Sequence, residues 1–245
     1  MFISQGHHLP EPDENLHIYA LPIGQGDSNI IQCPDGTLNI YDLGSRNKNT
    51  LGFWRKKEIV NFFNGRFSDI RNVIISHNHF DHFSHLGDVL GKGKDLSGLE
   101  NIYISCTESD LQSAVTKWLD EMELWGKVKL INEGFACGMN GVDCGHITLC
   151  PNHPSITAKI MSANYGQQCN LTRGNANIDS IVVKVKYDDI SVMLNGDFED
   201  FYPTLNEKGP QRAMANYYGD ELQVTVLQIS HHGGFYKANK PVLLN

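Results

Sequence analysis

No apolar run in this 245-residue chain approaches the roughly 20 residues that a membrane-spanning helix needs. Met1 to Leu16 lacks a basic segment followed by an apolar one, so it does not read as a secretory leader. Either the protein is cytosolic or a leader has been removed, and the reading leans to the cytosol. Basic charge is also short, with 20 Lys and Arg against 28 Asp and Glu and a formal net charge of −8. That argues against a broad nucleic-acid-binding face, because phosphate backbones are gripped by clustered Lys and Arg. A narrow groove in which metal ions supply the positive charge stays open. Short runs such as Arg55-Lys56-Lys57 and Lys92-Gly93-Lys94 read as solvated faces. No short-period repeat and no low-complexity linker divides the chain. None of the six cysteines forms a CxxC pair, which disfavours a dedicated zinc knuckle. Cys137, Cys144, Cys150 and Cys169 crowd one stretch, while Cys33 and Cys106 lie in apparent strands. In an exported chain the crowded four suggest two disulfides; in a reducing compartment, free thiols or a metal site.

What is present begins with short apolar strands. His17 to Ile23, Ser28 to Cys33 and Thr37 to Leu43 are three such runs, the last two split by Pro34-Asp35-Gly36. Pro presets φ and Gly accepts positive φ, so this tripeptide is a hairpin signal. Phe53 to Phe63 has the spacing of an amphipathic helix. Asn72 to Ser76 is a buried strand, followed by a strand at Asn101 to Ser105, a helix at Glu108 to Leu124 and a strand at Lys127 to Ile131. Gly134 to Asn177 is the least regular region, with one strand expected near Ile147 to Cys150. Ser180 to Tyr187 and Ile190 to Leu194 form a second hairpin across Asp188-Asp189. Glu199 to Tyr218 is helical in pattern but broken at Pro203 and Gly209-Pro210. Leu222 to Ile229 is the last buried strand. Two hairpin-plus-helix halves, each ending in a strand that delivers histidines, suit one α/β domain over residues 1–245. Its two sheets would pack face to face with helices outside.

Four liganding side chains fall within six residues at the end of the Asn72 strand: His77, His79, Asp81 and His82. Imidazole nitrogen and carboxylate oxygen suit divalent ions such as zinc, manganese or iron. Alternate residues of an extended segment point the same way, so His77 and His79 can grip one ion. The chain then turns, and Asp81-His82 can face a second. The chain holds 11 histidines, and shuffling it would produce this four-position pattern in about two cases in a thousand. Its position after a buried apolar strand lowers the chance reading further.

His77-x-His79-x-Asp81-His82 resembles the signature of the metallo-β-lactamase superfamily. Gly24-Gln25-Gly26-Asp27-Ser28, Pro34-Asp35-Gly36 and Tyr41-Asp42-Leu43-Gly44 are similar to the opening of the hydrolase domain in ComEC-type competence proteins. So are Asn177-Ile178-Asp179-Ser180-Ile181-Val182-Val183, Leu194-Asn195-Gly196-Asp197 and Ile229-Ser230-His231-His232-Gly233-Gly234. The resemblance runs in order from about His17 to Gly234 and implies a four-layer αββα sandwich around a two-metal site.

By that resemblance Asp197 bridges both metals, and His231 completes the second beside Asp81 and His82. Asp42 orients a ligand histidine, Asp27 stands with it behind the ligands, and Asn177, Ser180 and His232 line the site for substrate. His7, His8, His17 and His85 read as surface or core residues. The third ligand of the first metal is left between Cys150, His153 and His146; Cys150 would favour zinc. Relatives continue past the final histidines with another strand and helix, so a chain ending at Asn245 is expected to leave a sheet edge unpaired. The resemblance implies a binuclear hydrolase holding two Zn2+ or Mn2+ ions. A metal-bridging hydroxide, with Asp81, Asp197 and His231 as the catalytic set, would attack a nucleic acid or small phosphodiester. The alternatives are a hydrolase of small lactones, esters or amides, and a non-catalytic metal-bound binding module.

Overall fold

The computed structural model describes residues 8–46, 54–131, 136–167, 176–199, 209–230 and 232. A six-stranded sheet is ordered β1-β2-β3-β4-β5-β6: His17–Ala20, Ser28–Gln32, Leu38–Leu43, Ile70–Ile75, Asn101–Ile104 and Val128–Leu130. The first two pairings are antiparallel and the last three parallel. A four-stranded sheet is ordered β10-β9-β8-β7, formed by Val226–Leu227, Ile190–Leu194, Val182–Tyr187 and Ile156–Ser162. The helices are α1 (Lys56–Phe63), α2 (Phe80–Phe83), α3 (Leu86–Val89), α4 (Ser113–Glu121) and α5 (Pro210–Tyr218).

Alternation along the strands sorts these elements into four layers. Ile30, Ile40, Val73, Ile75 and Ile102 face one way and pack under Ile59 and Phe63 of α1, Leu86 of α3 and Trp118 of α4. Ile31, Tyr41 and Ile74, one residue out of step, face the other way against Ile156, Ala158, Ile160, Val183 and Val185 of the second sheet. Met161, Val182 and Met193 then pack on Met214 of α5. Side chains of successive strand residues point to opposite faces, so one apolar strand feeds two cores. Each fully buried Val, Ile or Leu contributes about 1.5–3 kcal/mol. The expected αββα sandwich of two mixed sheets with helices outside is therefore the observed architecture. None of the described helices is long and apolar enough to cross a membrane.

Four elements differ from those expected of the sequence. First, Ile147 to Cys150 is not a strand. The carbonyls of Thr148 and Leu149 accept from the side-chain amides of Asn72 and Asn39, at 3.0 and 3.2 Å, rather than from a neighbouring strand. Second, β7 lies within the stretch read as irregular, although Ile156, Ala158 and Ile160 alternate with Thr157 and Lys159. Third, α4 begins at Ser113 rather than Glu108, because Asn78 accepts from Gln112 N (3.2 Å) and donates to Asp110 O (2.5 Å), holding that segment as a turn. The last strand shrinks to Val226–Leu227. Between the edge strands β1 and β10 lies an apolar cleft of about 760 Å³, lined by Leu16, Ile18, Val192 and Val226.

Candidate metal centre

The parallel strands β3 and β4 end side by side, and their C-terminal loops carry the cluster, where ligand sites of α/β sheets commonly form. Asp42 closes β3 in a left-handed conformation (φ 59°) that turns its carboxylate back toward β4. Its Oδ1 accepts from Ser76 N at 2.7 Å; its Oδ2 accepts from Ser76 Oγ at 2.6 Å and from His82 Nδ1 at 2.7 Å. Ser76 Oγ also sits 3.0 Å from His77 Nδ1. Both imidazoles are thus fixed from behind, with their Nε2 atoms facing the site.

The alternation expected of His77-Asn78-His79 is present. Asn78 points away into the α4 tether, while His77 Nε2 and His79 Nδ1 approach to 3.0 Å. A single turn, with His82 N bonded to His79 O at 3.0 Å, then brings Asp81 and His82 round. Asp197 follows β9 on a loop that passes close to β4. Gly196 there has φ 52°, and a Cβ on it would lie 2.7 Å from Ser76 Oγ. Only glycine lets the loop come so near in that conformation. On the opposite side, Cβ atoms on Gly26 and Gly44 would fall 2.8 and 2.7 Å from the carbonyl oxygen of Asp81. The Gly24–Ser28 loop and the end of β3 can therefore close around the histidine turn.

Two sets of side chains result, and Asp197 faces both. Its Oδ2 lies 3.8 Å from His77 Nε2; its Oδ1 lies 3.2 Å from His82 Nε2 and 3.6 Å from His232 Nε2. His77, His79 and Asp197 converge as one set of potential metal ligands, and Asp81, His82 and His232 as another. The buried Asp81 Oδ1 and His82 Nε2 make no hydrogen bond. Buried polar atoms are ordinarily satisfied, so a carboxylate oxygen and an imidazole nitrogen left open in one pocket fit divalent cations.

Charge within the cluster is strongly biased. Burial and the neighbouring His82 push His77 well below the ordinary histidine range, and burial lowers His79. Burial opposes a charge on His82, but the Asp42 and Asp197 carboxylates outweigh it and raise its pKa well above normal. Burial likewise opposes ionisation of Asp197, yet His82 and His77 hold it below the carboxylate range. Asp27, with Asn29 Nδ2 and Gln228 Nε2 each donating to it at 2.6 Å, is pushed up to about 7 by burial and the charge on Asp42.

His231, expected to complete the second set, lies outside the described residues; His232, with φ 53°, stands beside Asp81 Oδ2 at 3.3 Å. Asn177 and Ser180 come to the site's edge but are 3% and 0% exposed, and Asn177 Nδ2 donates to Glu199 Oε1 at 2.7 Å. The three candidates for the remaining ligand are all elsewhere. Cys150 is joined to Cys33 in a disulfide, which removes its thiolate. His153 lies by Asp35, at the opposite end of β3. His146 pairs with Lys159 in a bridge by a surface cleft. Where β7 ends, Ser162 and the Ala163-Asn164 that follow it offer no imidazole or carboxylate. His8 and His17 bond to Asn61 O and Asp13 away from the cluster; His7 lies outside the described residues. Sequence reasoning missed Ser76 and Arg46, whose Nε is 3.3 Å from Asp81 Oδ2; Ser76 stands directly before His77, and Arg46 two residues past the Tyr41–Gly44 segment.

No known protein family matches the chain by its sequence profile, and no characterised protein matches it in sequence. Solved structures of metallo-β-lactamase fold proteins do resemble it in shape. YhfI from Bacillus subtilis, described as a metallo-β-lactamase fold protein, is 12% identical over 73% of this chain and 61% of its own, with TM-score 0.40. The diiron β-hydroxylase CmlA from Streptomyces venezuelae is 18% identical over 90% of this chain but 35% of its own, with TM-score 0.46. The short form of human tRNase Z is 15% identical over 74% of this chain and 68% of its own, with TM-score 0.38. Likeness at this level says nothing about substrate.

Proposed function

We propose that this protein is a binuclear metal-dependent hydrolase. Asp197 carries the reading: one of its oxygens is turned to the His77–His79 pair and the other to His82 and His232. His77, His79 and Asp197 would hold one ion, and Asp81, His82, His232 and the shared Asp197 the second. Sets of this kind, with nitrogen and oxygen ligands and an open position, suit catalytic zinc or manganese. Two divalent ions there would lower the pKa of a water between them and polarise the bond to be broken. Asp81 Oδ2, beside Arg46 and His232, would serve as the proton acceptor. Asp42 and Ser76 keep the imidazoles in the tautomer that presents Nε2, the service a metal-bound histidine generally needs.

The particular reaction is hydrolysis of a phosphodiester. The ComEC-type resemblance supports it, as does a cation, Arg46, at the mouth. The net charge of −8 favours a small or single-stranded substrate over a duplex. The disulfides Cys33–Cys150 and Cys137–Cys144, with Cys106 also disulfide-bonded, favour an oxidising compartment over the cytosol. A non-catalytic metal-bound module is the second reading, favoured by the want of a third imidazole near His77 and His79 among the described residues. Turnover of bis(p-nitrophenyl) phosphate by the zinc- or manganese-loaded protein separates the two. His79→Ala and Asp197→Ala should each abolish turnover while the fold persists. Unchanged turnover in both would sink the catalytic assignment, and cleavage of p-nitrophenyl acetate but not of the diester would move it to carbonyl esters.

A further inference from the structure

Arg46 is held at the exposed side of the cluster, its Nε 3.3 Å from Asp81 Oδ2. Its backbone N donates to Gln25 O at 2.8 Å. The residue before it is pinned three times: Ser45 N donates to Ser84 Oγ (2.9 Å), Ser84 Oγ to Ser45 O (2.9 Å), and Ser45 Oγ to Ile23 O (2.6 Å). From this fixed base the guanidinium reaches Asp81 Oδ2, with 55% of its side chain exposed against 3% for Asp81. Among the described residues, no other Lys or Arg pairs with a carboxylate of the cluster. His232 Nε2 approaches the same oxygen, also at 3.3 Å, and is 18% exposed. Arg46 and His232 therefore stand together over Asp81 at the mouth.

The balance of charge gives this position its meaning. Two divalent ions held there would offset the carboxylates Asp42, Asp81 and Asp197 around them. The Arg46 guanidinium, paired with Asp81 on one side and 55% exposed on the other, would then present positive charge at the surface of a protein whose net charge is −8. An anion is repelled by most of such a surface and drawn to this point. A guanidinium fork meets the oxygens of a phosphoryl group two at a time, and gains nothing comparable from an uncharged ester.

Building on the phosphodiesterase reading above, we propose that Arg46 is the specificity-determining residue of this site, selecting a substrate whose phosphorus carries a negative charge. The test measures binding apart from turnover, on the zinc-loaded full chain. One probe is a dinucleotide whose leaving oxygen is replaced by methylene, which keeps the charge and cannot be cleaved at that bond. The other is its uncharged methylphosphonate counterpart. The wild type should bind the anionic probe more tightly. Arg46→Ala should weaken that probe alone by about tenfold, and Arg46→Lys by less, with zinc content unchanged. With bis(p-nitrophenyl) phosphate the same variant should raise KM far more than it lowers kcat. Equal binding of the anionic probe by Arg46→Ala and wild type overturns the proposal, as does loss of zinc from the variant, which would make Arg46 a support for the metal ligands. Selective anion binding by a wild type that turns over no diester would sustain Arg46's role and refute the reaction.

Discussion

Replacing Asp42 by Asn changes one atom and removes one charge, at a point where three donors converge. The carboxylate faces Ser76 N, Ser76 Oγ and His82 Nδ1, at 2.7, 2.6 and 2.7 Å. An asparagine there turns its amide either to Ser76 Oγ and His82 or to Ser76 N, and each orientation sets donor against donor. The first can be relieved by moving the His82 proton to Nε2, the nitrogen intended for the metal. Loss of such an orienting carboxylate costs about 10–100-fold in metal affinity, equivalent to about 1.4–2.7 kcal/mol. Zinc affinity should be measured by competition with a chromophoric chelator, and urea unfolding of the metal-free protein run beside it to show that the variant folds. A folded Asp42→Asn protein binding zinc within about threefold of wild type, well short of that loss, would refute the role given to Asp42.

Gly196→Ala should displace the Asp197 loop and weaken metal binding, because the new Cβ meets Ser76 Oγ at 2.7 Å. Gly219→Ala is the control: its φ is also positive, at 50°, but nothing lies within 4 Å of the added Cβ, so zinc content should hold. Equal zinc loss in both variants, read by elemental analysis, would show backbone strain rather than close approach at work. Replacing Cys33 and Cys150 together by Ser should lower stability by about 2–5 kcal/mol in urea titration while the zinc content stays as in the wild type. Loss of zinc in that variant would return Cys150 to the site. Zinc at 100 times its Kd should add about 2.7 kcal/mol per site to unfolding stability, removed by chelator; a melting curve indifferent to chelator would mean the ions are not bound in the folded state.

The layers and one half of the centre were legible in the chain because local patterns carry them. Short apolar runs bounded by turn residues marked β2, β3, β4, β8 and β9, and the spacing of His77, His79, Asp81 and His82 already encodes a strand followed by one turn. What could not be read depends on contacts distant in sequence. Ile147 to Cys150 has strand composition, yet Asn39 and Asn72 more than 70 residues away take its carbonyls. Cys150 looked like a ligand because nothing in its neighbourhood names Cys33, 117 residues earlier, as its partner. His232 Nε2 lies 3.3 Å from Asp81 Oδ2, with a positive φ that no sequence pattern announced. Arg46 and Gln228 are ordinary polar residues until the fold sets them against Asp81 and Asp27.

The central claim is that Asp197 stands between two ion sites, and a count of bound ions tests it most directly. Native mass spectrometry of the zinc-saturated, desalted full chain should show two ions per chain, falling to one or none in Asp197→Ala. One ion or none in the wild type, or two retained by Asp197→Ala, would contradict the account.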